Sequence, residues 1–156
     1  KSNCPLEWIE FHVAEWKNEG GLEKEAATCA SLAETAMANG KTAVVYTSRT
    51  VIDLSDQTPE QLLAISVRIS DALTSVVSRL AKRPRFLIAK GGITSSDVGT
   101  IALAVKKARV LGQVQPGIPV WKIGEESRFP GMSYIIFPGN VGDEDTLRKI
   151  VEVLNR

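Results

Sequence analysis

Histidine and cysteine are scarce in this chain: there is one histidine, His12, and two cysteines, Cys4 and Cys29. A Ser-His-Asp triad would have to use His12, which sits in the most ambiguous part of the sequence, so a self-contained hydrolase of that type is not expected. The two cysteines lack metal-type spacing and would make a thin disulfide framework. A reducing, cytosol-like compartment with the pair unlinked is the default expectation. No P-loop signature (GxxxxGKS or GxxxxGKT), GxGxxG, HExxH or paired CxxC occurs, and no resident metal site is expected. Charge of one sign is also missing: nineteen Lys and Arg face eighteen Asp and Glu, a formal net charge of +1. That balance gives no electrostatic reason to expect nucleic acid or an acidic membrane as partner. No apolar run approaches the roughly 20 residues needed to span a bilayer. The opening "KSNC" has neither methionine nor a signal-peptide pattern, so the chain is expected to be an excised piece of a longer polypeptide, cytoplasmic by default.

What is present suits a single domain over 1–156. The chain is 44% hydrophobic and 24% charged, close to the globular average, and a domain of this size buries roughly 68–70% of its unfolded surface. "LEWIEFHVAEW" fits two periods: Ile9, Phe11 and Val13 alternate as in a strand, while Leu6, Ile9, Val13 and Trp16 fit a helix. A short strand is favoured. Leu22, Ala26, Cys29, Ala33 and Ala36 predict a helix that stops at Asn39-Gly40. "TAVVYTS" reads as a buried strand. Pro59 opens a long helix whose apolar positions Leu62, Ile65, Ile69, Leu73, Val76 and Leu80 step by three or four. "RFLIAK" is another strand. A helix is predicted from Ser96 to about Leu111, burying Val98, Ile101, Ala102, Val105 and Ala108, with Lys106, Lys107 and Arg109 as its solvated face. "IPVWKI" and "SYIIF" read as strands. The last helix carries Leu147, Ile150, Val151 and Leu154, with Asp143, Glu144 and Asp145 at its positive end. Alternating strands and helices predict an α/β layered domain with a mostly parallel central sheet flanked by helices.

Three strand ends could carry chemistry. In "KGGITSS", Gly91 and Gly92 follow a strand, free the backbone dihedrals and remove side chains that would block close approach. Thr94, Ser95 and Ser96 are suitable N-caps for the next helix, whose first amides would favour an anion. Lys90 either adds a cation there or points away. The same residues also suit a plain capped turn with nothing bound. "FPGNVGDED" repeats the arrangement, but its acids argue for base, ribose or a hydrated metal rather than phosphate, or for an ordinary turn. "YTSRT" places Ser48 and Arg49 at a third strand end, where Arg49 pairs either with phosphate or with a carboxylate of its own fold. In open α/β sheets, ligands gather at the carboxyl ends of strands. His12 is read as a surface or satisfied histidine, and Trp8, Trp16 and Trp121 as packing residues.

Taken together, "RPRFLIAKGGITSSDVGTIAL", "ARVLGQVQPGIPVWKIG" and "YIIFPGNVGDEDTL" resemble the C-terminal nucleotide-binding domain of the four-carbon acid sugar kinase family. The likeness runs from about "VVYTSR" to the end, and the order and spacing of the three segments carry it. The resemblance implies ATP, with magnesium, as cofactor and a kinase acting on threonate, erythronate or 3-oxo-tetronate. It implies phosphate contact by Gly91, Gly92, Ile93 and Thr94 and a second ATP contact by Gly139, with Ser95 and Asn140 as neighbours. An N-terminal sugar-acid-binding domain of the same polypeptide would be the partner and would hold the catalytic base; no catalytic residue is assigned in this chain. A homodimer is possible for the family. Two departures stand out. The Gly-Ser-Cys-Ser-like segment that usually begins the domain has no match, and "GGITSSD" replaces the commoner "GGETSG", as in larger proteins fused to dehydrogenase-like and aldolase-like domains. On this basis the chain alone is expected to hold nucleotide without completing phosphoryl transfer. The alternative is a non-catalytic module that binds a phosphorylated effector or dimerises.

Overall fold

The computed structural model describes residues 5–49 and 54–156. They form a layered α/β fold, with the strands divided between two sheets. The packing separates into two compact units, Leu6–Ala81 and Lys82–Arg156. Cys4 lies outside the described residues.

The first unit opens with strand β1 (Leu6–Phe11), whose alternation buries Ile9 and Phe11. The favoured strand reading therefore holds for this stretch, while Val13 falls in a 3-10 turn, Val13–Lys17. Helix α1 (Gly21–Ala38) buries Leu22, Ala26, Cys29, Ala33 and Ala36, the predicted stripe. It ends at Asn39-Gly40, where Gly40 takes φ +71 and donates to the Met37 carbonyl at 3.1 Å, the left-handed stop that glycine permits. Strand β2 (Thr42–Thr47) pairs in parallel with β1, Leu6 opposite Thr42 and Phe11 opposite Thr47. Helix α2 (Pro59–Ser78) starts at a reciprocal cap: the Gln61 amide donates to Thr58 Oγ1 at 3.3 Å and the Thr58 amide to Gln61 Oε1 at 2.8 Å.

The second unit holds the candidate glycine loops. Strand β3 (Phe86–Lys90) pairs in parallel with β6 (Ser133–Phe137); β6 pairs antiparallel with β5 (Ile118–Ile123), and β5 antiparallel with β4 (Ala108–Gln115). The sheet order is β3-β6-β5-β4. Ile118, Ile135, Phe137 and Ile150 form its buried centre, with Phe86, Ile88, Val120 and Leu147 packed against them. Ile150 and Leu147 come from the last helix, α4 (Thr146–Leu154). Of the four strand pairings two are parallel and two antiparallel, so one sheet is parallel and the other mixed.

The predicted helix from Ser96 to Leu111 is corrected. Helix α3 covers Gly92–Asp97 and runs into a π turn, Val98–Ala102. Ala104 then adopts φ +52, which ends the helix. The rest of the segment becomes β4, because Gln115-Pro116-Gly117-Ile118 closes a two-residue hairpin onto β5. Gly117 sits at φ +77, as the glycine following a proline does in a type II turn. Val98 and Ala102 are buried as expected, whereas Ile101 and Ala108 are exposed. Lys106, Lys107 and Arg109 remain solvated, but on a loop and a strand rather than on a helix.

The cap at α2 is the local feature whose removal is easiest to read. Thr58→Ala is expected to lower unfolding stability by about 1 kcal/mol. Urea unfolding of the two chains checks this, and an unchanged midpoint would contradict it.

Candidate functional site

Parallel pairing of β3 with β6 sets Lys90 opposite Phe137, so both strands end at the same edge of the sheet. Two loops leave that edge together: Gly91-Gly92 into α3, and Pro138-Gly139-Asn140 toward α4. They are joined at their bases, the Gly91 amide donating to the Phe137 carbonyl at 2.9 Å. A side chain placed on Gly139 would meet the Gly91 Cα at 3.9 Å, which shows how closely the loops run. The structure thus brings the first two candidate stretches into one place.

Gly91 is the N-cap of α3, at φ +109 and ψ 145, a conformation costly for any residue with a Cβ. Here the capping expectation for Thr94, Ser95 and Ser96 is corrected: all three lie inside the helix, and no side chain caps it. Starting the helix at Gly92 leaves the amides of Gly92, Ile93 and Thr94 without intrahelical acceptors. The Ser95 amide is the first to close the turn, donating to the Gly91 carbonyl at 2.9 Å. Gly92 faces open space, since a Cβ there would meet nothing within 4 Å. Ile93 projects outward, 74% exposed. Ser95 is buried, and its hydroxyl donates to the Ala89 carbonyl at 2.8 Å, turned back onto β3. Tyr134 completes the anchor: its buried hydroxyl donates to the Ser95 carbonyl at 2.6 Å, and burial pushes that phenol well above its ordinary range. Gly99 admits the Tyr134 ring, which a Cβ there would touch at 3.3 Å.

On the second loop Gly139 and Asn140 are exposed. Gly142, the further glycine of this stretch, is required by the fold. It sits at φ +85, and a Cβ would fall 2.8 Å from Thr146. Thr146 Oγ1 accepts from the Asp143 amide at 2.8 Å and donates to Asp143 Oδ1 at 2.7 Å. That hydrogen bond holds the Asp143 carboxyl below its usual range, with the Lys149 ammonium adding to the effect. Asp145 is lowered by Arg148, to which it is hydrogen-bonded at 3.0 Å. The acids therefore brace the start of α4. Among the described residues, no three His, Cys, Asp or Glu side chains are placed to hold a metal ion.

Ser48 and Arg49 belong to the other unit, Leu6–Ala81. Ser48 Oγ accepts from the Val13 amide at 3.1 Å and so fastens the turn after β1. Arg49 is exposed and makes no ion pair with a described residue. A depression of about 880 Å³ in this unit is lined by Trp8, Glu10, Tyr46, Thr47, Ser48 and Arg49, and contains no glycine-loop residue. Trp8 is 62% exposed and meets Tyr46 edge-on, with ring centroids 6.0 Å apart. Trp8 is thus outside the core, and Trp16 and Trp121 are only half-buried. Cys29 is a free, buried thiol, pushed up to about 11 by burial.

The model of a family described as a nucleotide-binding C-terminal domain matches residues 3–147. Among solved structures, a Bordetella bronchiseptica domain of unknown function (DUF1537), a domain-swapped dimer with bound citrate, superposes with a TM-score of 0.71 at 17% identity. That match covers 98% of this chain and 35% of the other. A Haemophilus influenzae protein of the same DUF1537 family gives 0.60 at 23% identity, over 97% of this chain and 35% of its own. A Salmonella typhimurium LT2 protein provisionally described as a tRNA synthase gives 0.65 at 19%, over 96% and 34%. At these identities the likeness establishes the fold. The chain spans about a third of the length of these solved relatives. No curated protein matches the chain in sequence. Among the described residues no helix is long and apolar enough to cross a membrane.

His12 is satisfied, as expected. Its Nδ1 lies 2.6 Å from Glu25 Oε1, and that hydrogen bond, with the charges of Glu25, Glu10 and Glu15, raises the imidazole above its ordinary 6.5. A raised value in the folded state means that the pair stabilises fully below pH 6.5 and is lost as pH climbs through the raised value. The ring is largely exposed, so the effect is small, about 0.2–1 kcal/mol. His12→Gln should therefore destabilise the chain at about pH 6 and be neutral at about pH 9. Thermal melts across that range check this; a difference that grows with pH would contradict it.

Proposed function

Since the chain belongs to the family of nucleotide-binding C-terminal domains, we propose that the paired glycine loops hold ATP. The whole stretch 1–156 would act as the nucleotide-binding domain of a kinase for four-carbon sugar acids. The observation that carries this reading is the open space at Gly92, beside Gly139: nothing lies within 4 Å of where a Cβ on Gly92 would stand. Strand ends that deliver free helix-start amides suit phosphate. When bound, ATP supplies the phosphoryl group that passes to a sugar-acid hydroxyl, and magnesium would come with it, carried largely by the phosphates.

The chain's own residues bind and orient. Amides of Gly92, Ile93 and Thr94 donate to phosphate oxygens, and Gly91 sets the turn that aims them. Gly139 and Asn140 border the nucleotide from the second loop. Ser95 contributes through its place in the helix, because its hydroxyl is already committed to Ala89. The sugar acid, and the base that deprotonates its hydroxyl, would be supplied by an N-terminal domain of the same polypeptide. A homodimer is compatible with this arrangement.

Gly92 separates fold from function. Its Cβ position is empty and its φ is not left-handed, so Gly92→Ala should leave the chain as stable or stabilise it by about 0.4–1 kcal/mol. The bulkier Gly92→Val should weaken Mg·ATP binding at least about tenfold, because it fills the space a phosphate needs. Calorimetric titration alongside thermal melts tests this. Undiminished ATP affinity in Gly92→Val would remove the loop from the site.

A further inference from the structure

Lys90 ends β3, exposed, at the point where the two glycine loops separate. Its side chain leans across to the neighbouring strand. The ammonium stands 4.4 Å from the centroid of the Phe137 ring and 3.4 Å from the Gly139 carbonyl, at the long end of the hydrogen-bond range. Both partners are neutral, and no described carboxylate forms an ion pair with it. The acids on the second loop are engaged elsewhere, Asp143 with Thr146 and Lys149, and Asp145 with Arg148. The ammonium is therefore parked over the junction of the loops, held by one long hydrogen bond and a ring face, with no ion-pair partner among the described residues.

We propose that Lys90 is a specificity-determining residue of the nucleotide site, whose ammonium leaves Gly139 to contact the outer phosphates and so selects triphosphates over monophosphates. This inference rests on the reading of the loops as a nucleotide site. A single phosphate can be met by the amides of Gly92, Ile93 and Thr94. Each further phosphate adds negative charge beyond the reach of those amides, and a mobile cation on a four-carbon stem can meet it. The move gives up the 3.4 Å bond to Gly139 and the ammonium's contact with the Phe137 ring, while the aliphatic stem can stay on that ring.

The test is calorimetric titration of the wild-type chain, Lys90→Met and Lys90→Arg with ATP, ADP and AMP, in magnesium at two salt concentrations. Lys90→Met should bind ATP about tenfold more weakly, the loss of one charged hydrogen bond, while its AMP affinity stays within about twofold of wild type. Its ATP affinity should also depend less on salt. Lys90→Arg, which keeps the charge, should stay within about threefold of wild type for ATP. Retained AMP binding also shows that the variants are folded. If Lys90→Met keeps the wild-type preference for ATP over AMP, the role of Lys90 is wrong and the glycine loops stand. If the wild-type chain binds none of the three nucleotides, the reading of the site itself falls, and Lys90 with it.

Discussion

The parallel pairing of β3 with β6 is the constraint on which the site depends. Antiparallel neighbours would send their carboxyl ends to opposite edges of the sheet, and the two glycine loops would emerge apart. Because the strands are parallel and Lys90 stands opposite Phe137, the loops leave side by side, and the Gly91 amide closes on the Phe137 carbonyl. A slip of β3 by one residue would turn Phe86 and Ile88 away from the core and move the first loop out of line with the second. Core packing and site geometry are therefore fixed by the same ladder of hydrogen bonds.

Around that ladder, polar side chains fasten the main chain. Ser95 and Tyr134 tie the first turn of α3 to β3 and β6. Thr146 and Asp143 brace the start of α4 by a local pair of hydrogen bonds, in space that Gly142 leaves free. With Ser95, Tyr134 and Thr146 turned inward, the loops present main-chain amides and open glycine beside the exposed side chains of Lys90, Ile93 and Asn140. A site built this way would be held in shape before a ligand arrived, which reduces the ordering cost of binding. It also leaves a faint trace in sequence, since main-chain donors carry no residue signature beyond the glycines that expose them.

That explains what the sequence disclosed and what it hid. The strands β2, β3, β5 and β6 were legible from short β-branched and aromatic runs, and α1, α2 and α4 from their apolar stripes. The two loops were legible as glycines at strand ends. The helix predicted from Ser96 to Leu111 failed because Val98, Ile101, Ala102, Val105 and Ala108 keep a helical period past the point where the chain turns. Pairing with β5 through the Pro116-Gly117 hairpin overrides that period. The signal was available, as a Pro-Gly pair between two apolar runs marks a hairpin. The division of the strands into two sheets was not legible, because alternation of strands and helices does not specify which strands become neighbours. Nor was the commitment of the Ser95 hydroxyl to Ala89: a serine in that position is equally suited to capping, and only the N-cap at Gly91 decides the matter.

Amide chemical-shift mapping of the chain by NMR, titrated with Mg·ATP and, separately, with inorganic phosphate, reads both loops in one experiment. ATP should shift the amides of Gly91, Gly92, Ile93, Thr94, Gly139 and Asn140 together, at concentrations where phosphate leaves them in place. Shifts confined to one loop or lying elsewhere, or an equal response to phosphate alone, would contradict a single nucleotide site at the β3–β6 edge.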